Sequence, residues 1–146
     1  MKKDFVIRGQ TASGQTDTLN FSGHKKGYAY KITEFDLYGS TSLGGTDVEA
    51  SGSITAAKTA EDPINPNFEN QGLIATSHVK FPSSASRGAI KLSVVNDTFM
   101  ITQDLLLKVF DTGGNPVNWQ CRFESVKMSG PQEAVANYKQ YLISDV

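Results

Sequence analysis

The chain has 146 residues, a formal net charge of −1 and a single cysteine. One domain of this length buries about two-thirds of its unfolded surface, enough for a core without disulfides or metals. The near-zero charge supplies no basic field for direct nucleic-acid binding, and one cysteine can make neither an internal disulfide nor a multi-cysteine zinc site.

Lys2 and Lys3 are not followed by the apolar run of about 7–15 residues that a secretory signal needs. Nor does any stretch approach the roughly 18 apolar residues of a membrane helix. A soluble chain made in a cytosol, with no membrane partner, is the expectation.

Glycine, serine, threonine and asparagine cluster between the apolar runs, which predicts many turns and an all-β domain. Phe5, Val6 and Ile7 form a short strand ended by Gly9, and residues 11–14 a turn. Residues 16–22 alternate, with Leu19 and Phe21 on one face. A polar loop through His24, Lys25 and Lys26 leads into the longest strand, residues 28–38. There Tyr28, Tyr30 and Ile32 share one parity, whereas Phe35 and Leu37 have the other. That switch predicts a β-bulge or bend near Thr33 and Glu34, or else a strand buried on both faces.

After a glycine- and serine-rich loop at 39–46, residues 47–58 alternate through Val48, Ala50, Gly52 and Ile54. Such small side chains suit a close sheet-to-sheet contact or an exposed edge. Pro63 and Pro66 mark 59–70 as a long irregular surface loop, a length often associated with function. Further strands span 73–81, with a loop at 82–86, then 89–95, where Ile90, Leu92 and Val94 are in phase. Residues 99–111 read as a strand, apolar on both parities between Leu105 and Phe110, as a central strand would be.

Asp111 to Pro116 reads as a hairpin. Its return strand carries Trp119, Cys121 and Phe123 on the core face, and a bend near Ser125 is expected where Val126 and Met128 fall out of phase. Ser129, Gly130, Pro131 and Gln132 resemble a helix start, followed by Ala134, Val135, Tyr138, Tyr141 and Leu142 at helical spacing. Eight to ten strands without βαβ alternation predict one β-sandwich domain over residues 1–146, jelly-roll-like, with at most one short C-terminal helix.

Candidates for chemistry are few. Neither His24 nor His78 has a metal-ligand partner at a recognisable spacing. Cys121 lies in a core stripe, the opposite of the exposed, electropositive setting that activates a thiol. The glycine-rich segments lack phosphate-loop spacing. Glu34, Asp36, Asp104 and Asp111 are scattered acids. The expectation is a non-enzyme with no catalytic residue, no metal and no cofactor. Tyr28 and Tyr30 could instead form a stacking platform of a carbohydrate-binding module, and ordinary packing is the plainer reading.

Four segments carry a resemblance: residues 4–38 (DFVIRGQTASGQTDTLNFSGHKKGYAYKITEFDLY), 61–75 (EDPINPNFENQGLIA), 96–111 (NDTFMITQDLLLKVFD) and 118–145 (NWQCRFESVKMSGPQEAVANYKQYLISD). Together they resemble small structural proteins of marine tailed bacteriophages. The resemblance implies a virion protein made in the host bacterial cytoplasm and placed on the capsid surface. Its role would be decoration, cement or minor head protein, with the major capsid protein as partner and repeated copies or a homo-oligomer in the assembly. A tail or head-to-tail connector component is the alternative within that class. The expected interface includes the termini, one long loop and the tail residues Tyr138, Tyr141, Leu142 and Ile143, because aromatic side chains are enriched where proteins meet.

Overall fold

Trp119, Cys121 and Phe123 alternate with Asn118, Gln120, Arg122 and Glu124. In the computed structural model this alternation becomes the middle strand of a three-stranded antiparallel sheet. The structure describes residues 3–21, 27–40, 47–81 and 88–144. In chain order the elements are β1 (Lys3–Thr11), β2 (Thr16–Leu19), β3 (Tyr28–Gly39), β4 (Val48–Thr55), β5 (Leu73–Phe81), β6 (Ile90–Val95), β7 (Leu105–Asp111), β8 (Val117–Lys127) and α1 (Gly130–Ser144). One sheet has the order β1-β8-β3 and the other β2-β7-β4-β5-β6. The described residues thus form an all-β sandwich of eight strands, three over five, with one C-terminal helix.

The parity switch in β3 is resolved by a bulge. Ile32 pairs with Phe123 and Glu34 with Arg122, so Thr33 is the extra residue. With it inserted, Tyr30 and Ile32 before the bulge and Phe35 and Leu37 after it all turn toward the core. An aromatic cluster forms at this end: the Phe123 ring lies 5.6 Å from Phe5 and 5.0 Å from Phe21. Tyr30 closes the cluster against Phe5 and Phe21 at 5.4 and 5.1 Å. At the other end Trp119 Nε1 donates to Thr11 Oγ1 at 2.8 Å, and the Thr11 hydroxyl donates to Asp17. The buried indole N–H is therefore paired, and β1 is tied to β2 across the sandwich.

Small residues on β4 serve the closer of the two roles expected of them. The strand is central in its sheet, and Gly52 lies under Phe35 and Leu37 of the facing sheet. The long loop at 59–70 is irregular, as expected, and it folds back over the outer side of β4. Ser53 Oγ donates to the Glu61 carbonyl at 2.7 Å and Glu61 N donates to Thr55 Oγ1 at 3.0 Å. Both hydroxyls are fully buried under that loop.

Three expectations are corrected. Residues 111–116 turn sharply, with Gly114 N donating to the Asp111 carbonyl and Asn115 N to Asp111 Oδ2, both at 2.9 Å. Yet they do not close a hairpin, because β7 belongs to the five-stranded sheet and β8 to the three-stranded one. Turn chemistry reverses the chain; pairing of β8 with β1 and β3 decides which sheet receives it. The strand expected over 99–111 begins only at Leu105, and before it Ile101 makes a single bridge to Tyr30. No bend occurs at Ser125, since β8 pairs residue by residue with β3 on both sides of it, from Phe123 with Ile32 to Lys127 with Tyr28. The loops expected around His24 and at 82–86 lie outside the described residues, as does the loop expected at 39–46 from residue 41 on, while Gly39 still belongs to β3.

The close contact at Gly52 generates a test. A Cβ there would sit 3.0 Å from the Phe35 ring and 3.2 Å from a Leu37 methyl. Gly52→Val should destabilise the fold by about 1–3 kcal/mol through overpacking, read as a lower urea midpoint at unchanged slope. Gly88→Ala, where a Cβ meets open space, should leave the midpoint in place.

Candidate functional site

α1 starts at a reciprocal cap. Ser129 N donates to Gln132 Oε1 at 3.1 Å and Gln132 N donates to Ser129 Oγ at 3.4 Å, the Ser-x-x-Gln capping box foreshadowed by residues 129–132. Capping of this kind contributes about 1 kcal/mol and fixes where the helix leaves β8. Beyond its first turn, the helix touches the sandwich sparingly. A groove of about 550 Å³ lies between it and the preceding segments, floored by Phe99, Met100 and Met128 and walled by Pro131, Val135 and Ala136. Lys139 reaches over it, its Nζ 5.8 Å from the Phe99 ring centroid.

Apolar side chains remain in solvent on the same helix. Val135 is 68% exposed and Tyr138 65% exposed. Tyr138 is the one predicted interface residue whose side chain is described, and it is free to meet a partner. Tyr141, Leu142 and Ile143 continue α1, and their side chains lie outside the described residues. Sequence reading missed the groove floor. Sequence periodicity places Phe99 and Met100 in a strand and takes the phase of Val126 and Met128 as the sign of a bend near Ser125. The phase of Met128 was the usable signal, because Met128 is buried where β8 ends and α1 begins.

The remaining candidates have structural uses. Tyr30 is held between Phe5 and Phe21, so Tyr28 and Tyr30 do not make an exposed platform. Glu34 pairs with Arg122 at 3.8 Å, Asp36 pairs with Lys91 at 2.8 Å, and Asp104 accepts from the Phe21 N–H at 2.6 Å. Asp111, buried, holds the turn described above. His24 falls outside the described residues. Among the described residues no group of three or more His, Cys, Asp or Glu side chains converges as metal ligands would.

His78 has more company than its sequence neighbours suggested. It stands beside Ser51 on the outer face of the β4–β5 pair, and its Nδ1 shares a 2.7 Å hydrogen bond with Ser51 Oγ. On the other side Nε2 lies 3.9 Å from Glu49, which also faces Lys80 at 3.8 Å. The Ser–His–Glu order superficially matches a nucleophile, base and orienting acid. However, Ser51 itself lies where β4 is paired on both sides, with His78 of β5 and Phe110 of β7, so its backbone is part of the ladders. The arrangement is a cross-strand polar cluster, one Ser51–His78 hydrogen bond with Glu49 and Lys80 beside it, that ties β4 to β5.

No protein-family model matches the sequence, and no curated protein matches it. Among solved structures the chain is similar to a protein of Bacillus endospore appendages, described as a novel family of disulfide-linked pili. The two are 8% identical over 88% of each chain, with a TM-score of 0.38, and a likeness at this level carries no functional inference.

Cys121 is fully buried in the core, and burial, with the nearby charge of Asp36 adding to it, pushes its thiol well above the ordinary cysteine range. The thiolate is the reactive form, so the native protein should give no colour with a thiol-disulfide reagent at pH 8, whereas the denatured chain should release one equivalent. Rapid labelling of the native chain would contradict the burial.

Proposed function

We propose that this chain is a structural component of a tailed-bacteriophage virion, a capsid decoration, cement or minor head protein that docks on the major capsid shell. One observation supports a docking role above the rest: a capped helix stands beside an apolar groove and keeps Val135 and Tyr138 in solvent. Tyrosine is among the side chains enriched at the desolvated centre of protein interfaces. The phage assignment itself rests on the resemblance of the four segments quoted above. An accessory virion protein needs a stable body, a surface for shape-matched docking and no long-range field. The sandwich, the helix–groove surface and the net charge of −1 are compatible with each.

On this reading α1 and the groove floor form one contact surface. The shell would supply an apolar segment that enters between Phe99, Met128 and Val135, with Lys139 at the rim. The test is direct. Virions purified from the phage that encodes the chain should contain it in many copies over the capsid faces. Added back to shells lacking it, the wild-type protein should co-sediment with them. Val135→Glu and Tyr138→Glu should each weaken that binding at least about tenfold while leaving thermal melting unchanged, because both positions are exposed. Virions without the chain, copies confined to a ring at one vertex, or unaltered binding by both variants would each overturn the reading.

A further inference from the structure

The outer face of the three-stranded sheet gathers polar side chains from all of its strands in matched rungs. Arg8, Gln120 and Asp36 stand side by side in one rung, and Gln10, Asn118 and Tyr38 in the next. A depression of about 600 Å³ lies over these two rungs, bounded by Lys91 of β6. Its volume is that of a small-ligand site.

Tyr38 is the one ring on this patch, and it is 51% exposed. Phe81 braces it, with ring centroids 5.8 Å apart, so packing limits its motion while about half of the residue stays in solvent. The polar groups divide into an engaged and an unengaged set. Gln10 Nε2 donates to Asn118 Oδ1 at 2.9 Å, and Asn118 Nδ2 donates to the Gly39 carbonyl at 3.4 Å, which holds the Asn118 amide at both ends. Lys91 is neutralised by Asp36 at 2.8 Å. Among the described residues, Arg8 and Gln120 have no side-chain hydrogen bond or ion pair. The patch therefore offers one uncompensated positive charge, one free carboxamide and one braced ring.

An extended peptide matches this set poorly, because it is recognised through main-chain hydrogen bonds at an open sheet edge. Here the middle strand β8 is paired on both sides and its backbone is engaged in ladders. A saccharide matches it well. Each hydroxyl both donates and accepts, as a carboxamide does, and sugar C–H groups are attracted to the negative face of an aromatic ring. A carboxylate on the sugar supplies the charge complementary to Arg8, which can hold it through two parallel hydrogen bonds. Arg8 and Tyr38 lie on a diagonal of the sheet, about 12 Å apart at Cα from the strand and residue spacings. That span is bridged by linked sugar units and not by a single ring.

We propose that the Arg8–Gln120–Tyr38 patch binds a carboxylated oligosaccharide, one that carries uronic-acid or sialic-acid units. Tyr38 stacks on one sugar unit, Arg8 takes the carboxylate of a neighbouring one, and Gln120 and Gln10 pair with the hydroxyls between them. The site is independent of the helix–groove surface and of the phage reading.

Amide chemical shifts of the full chain, followed during titration, test it. The probes are tetragalacturonate and sialyllactose, beside the methyl-esterified tetramer and lactose as their uncharged counterparts, each up to about 10 mM. At least one acid should shift and saturate the amides of residues 8, 38, 118 and 120, with its uncharged counterpart binding at least about tenfold more weakly. Arg8→Gln should erase that preference. Tyr38→Thr removes the ring, keeps a strand-favouring residue and should weaken the acid at least about tenfold. Arg8 is exposed, so its variant should melt as the wild type does. Lys108→Gln, on the other sheet, should bind as the wild type does. No saturable shift with either acid overturns the proposal, as do equal affinities for acid and uncharged counterpart, or binding indifferent to both Arg8→Gln and Tyr38→Thr. Loss of shell binding on Tyr38→Thr without any saccharide shift also overturns it and assigns the patch to a protein partner.

Discussion

The spacing of the two sheets is set where Gly52 of β4 lies under the Phe35 ring and the Leu37 methyls. No side chain can be added on β4 at that point, so β3 settles directly onto the middle of the five-stranded sheet. Phe35 and Leu37 face Gly52 only because Thr33 is bulged out upstream; without the extra residue they would point to solvent. One inserted residue and one missing side chain thus act together. They align the bulky half of the core, contributed by β3 and β8, with the small-residue half contributed by β4.

From that contact the rest of the sandwich follows. With β3 in place, β8 is flanked on both sides, and Trp119, Cys121 and Phe123 are sealed between the sheets. Polar groups dragged inward find partners: the indole N–H on Thr11, and the Ser53 and Thr55 hydroxyls on the loop that closes over them. Among the described residues no buried side-chain nitrogen or oxygen is left without a partner. The same closure fastens β6 to β3 through the Ser93 hydroxyl and the Lys91–Asp36 ion pair.

Much of this was legible before any coordinates. The parity switch located the bulge, alternation located the core stripe of β8, and Ser129 with Gln132 located the helix start, because each is a local rule with one dominant physical cause. What could not be read were choices made at long range. The turn at Asp111 to Pro116 has hairpin chemistry, but whether its strands pair depends on β1 and β3, which lie far away in sequence. Ile90, Leu92 and Val94 are periodic in the way a buried face is periodic, and only sheet order shows that the repeat faces outward. Of the candidate site, Tyr138 was legible as an exposed aromatic on a helix. The groove floor was not, since Phe99, Met100 and Met128 are gathered from two chain segments by tertiary structure.

The helix–groove surface and the exposed row of Ile90, Leu92 and Val94 on the outer β5–β6 face are both apolar, and they differ in shape. The helix–groove surface has concavity, which admits an inserted side chain and can concentrate binding energy in few contacts. By contrast, the β5–β6 face is a ridge of modest area, and a ridge on its own gives a weak and reversible contact. The turn from Asn96 to Thr98 joins the two surfaces, with Asn96 beside Phe68 and Val94 and Thr98 at the groove. Thr98 donates to Asn96 Oδ1 through both its backbone N–H and its hydroxyl, at 3.1 and 2.7 Å, so the link between the two surfaces is short and braced.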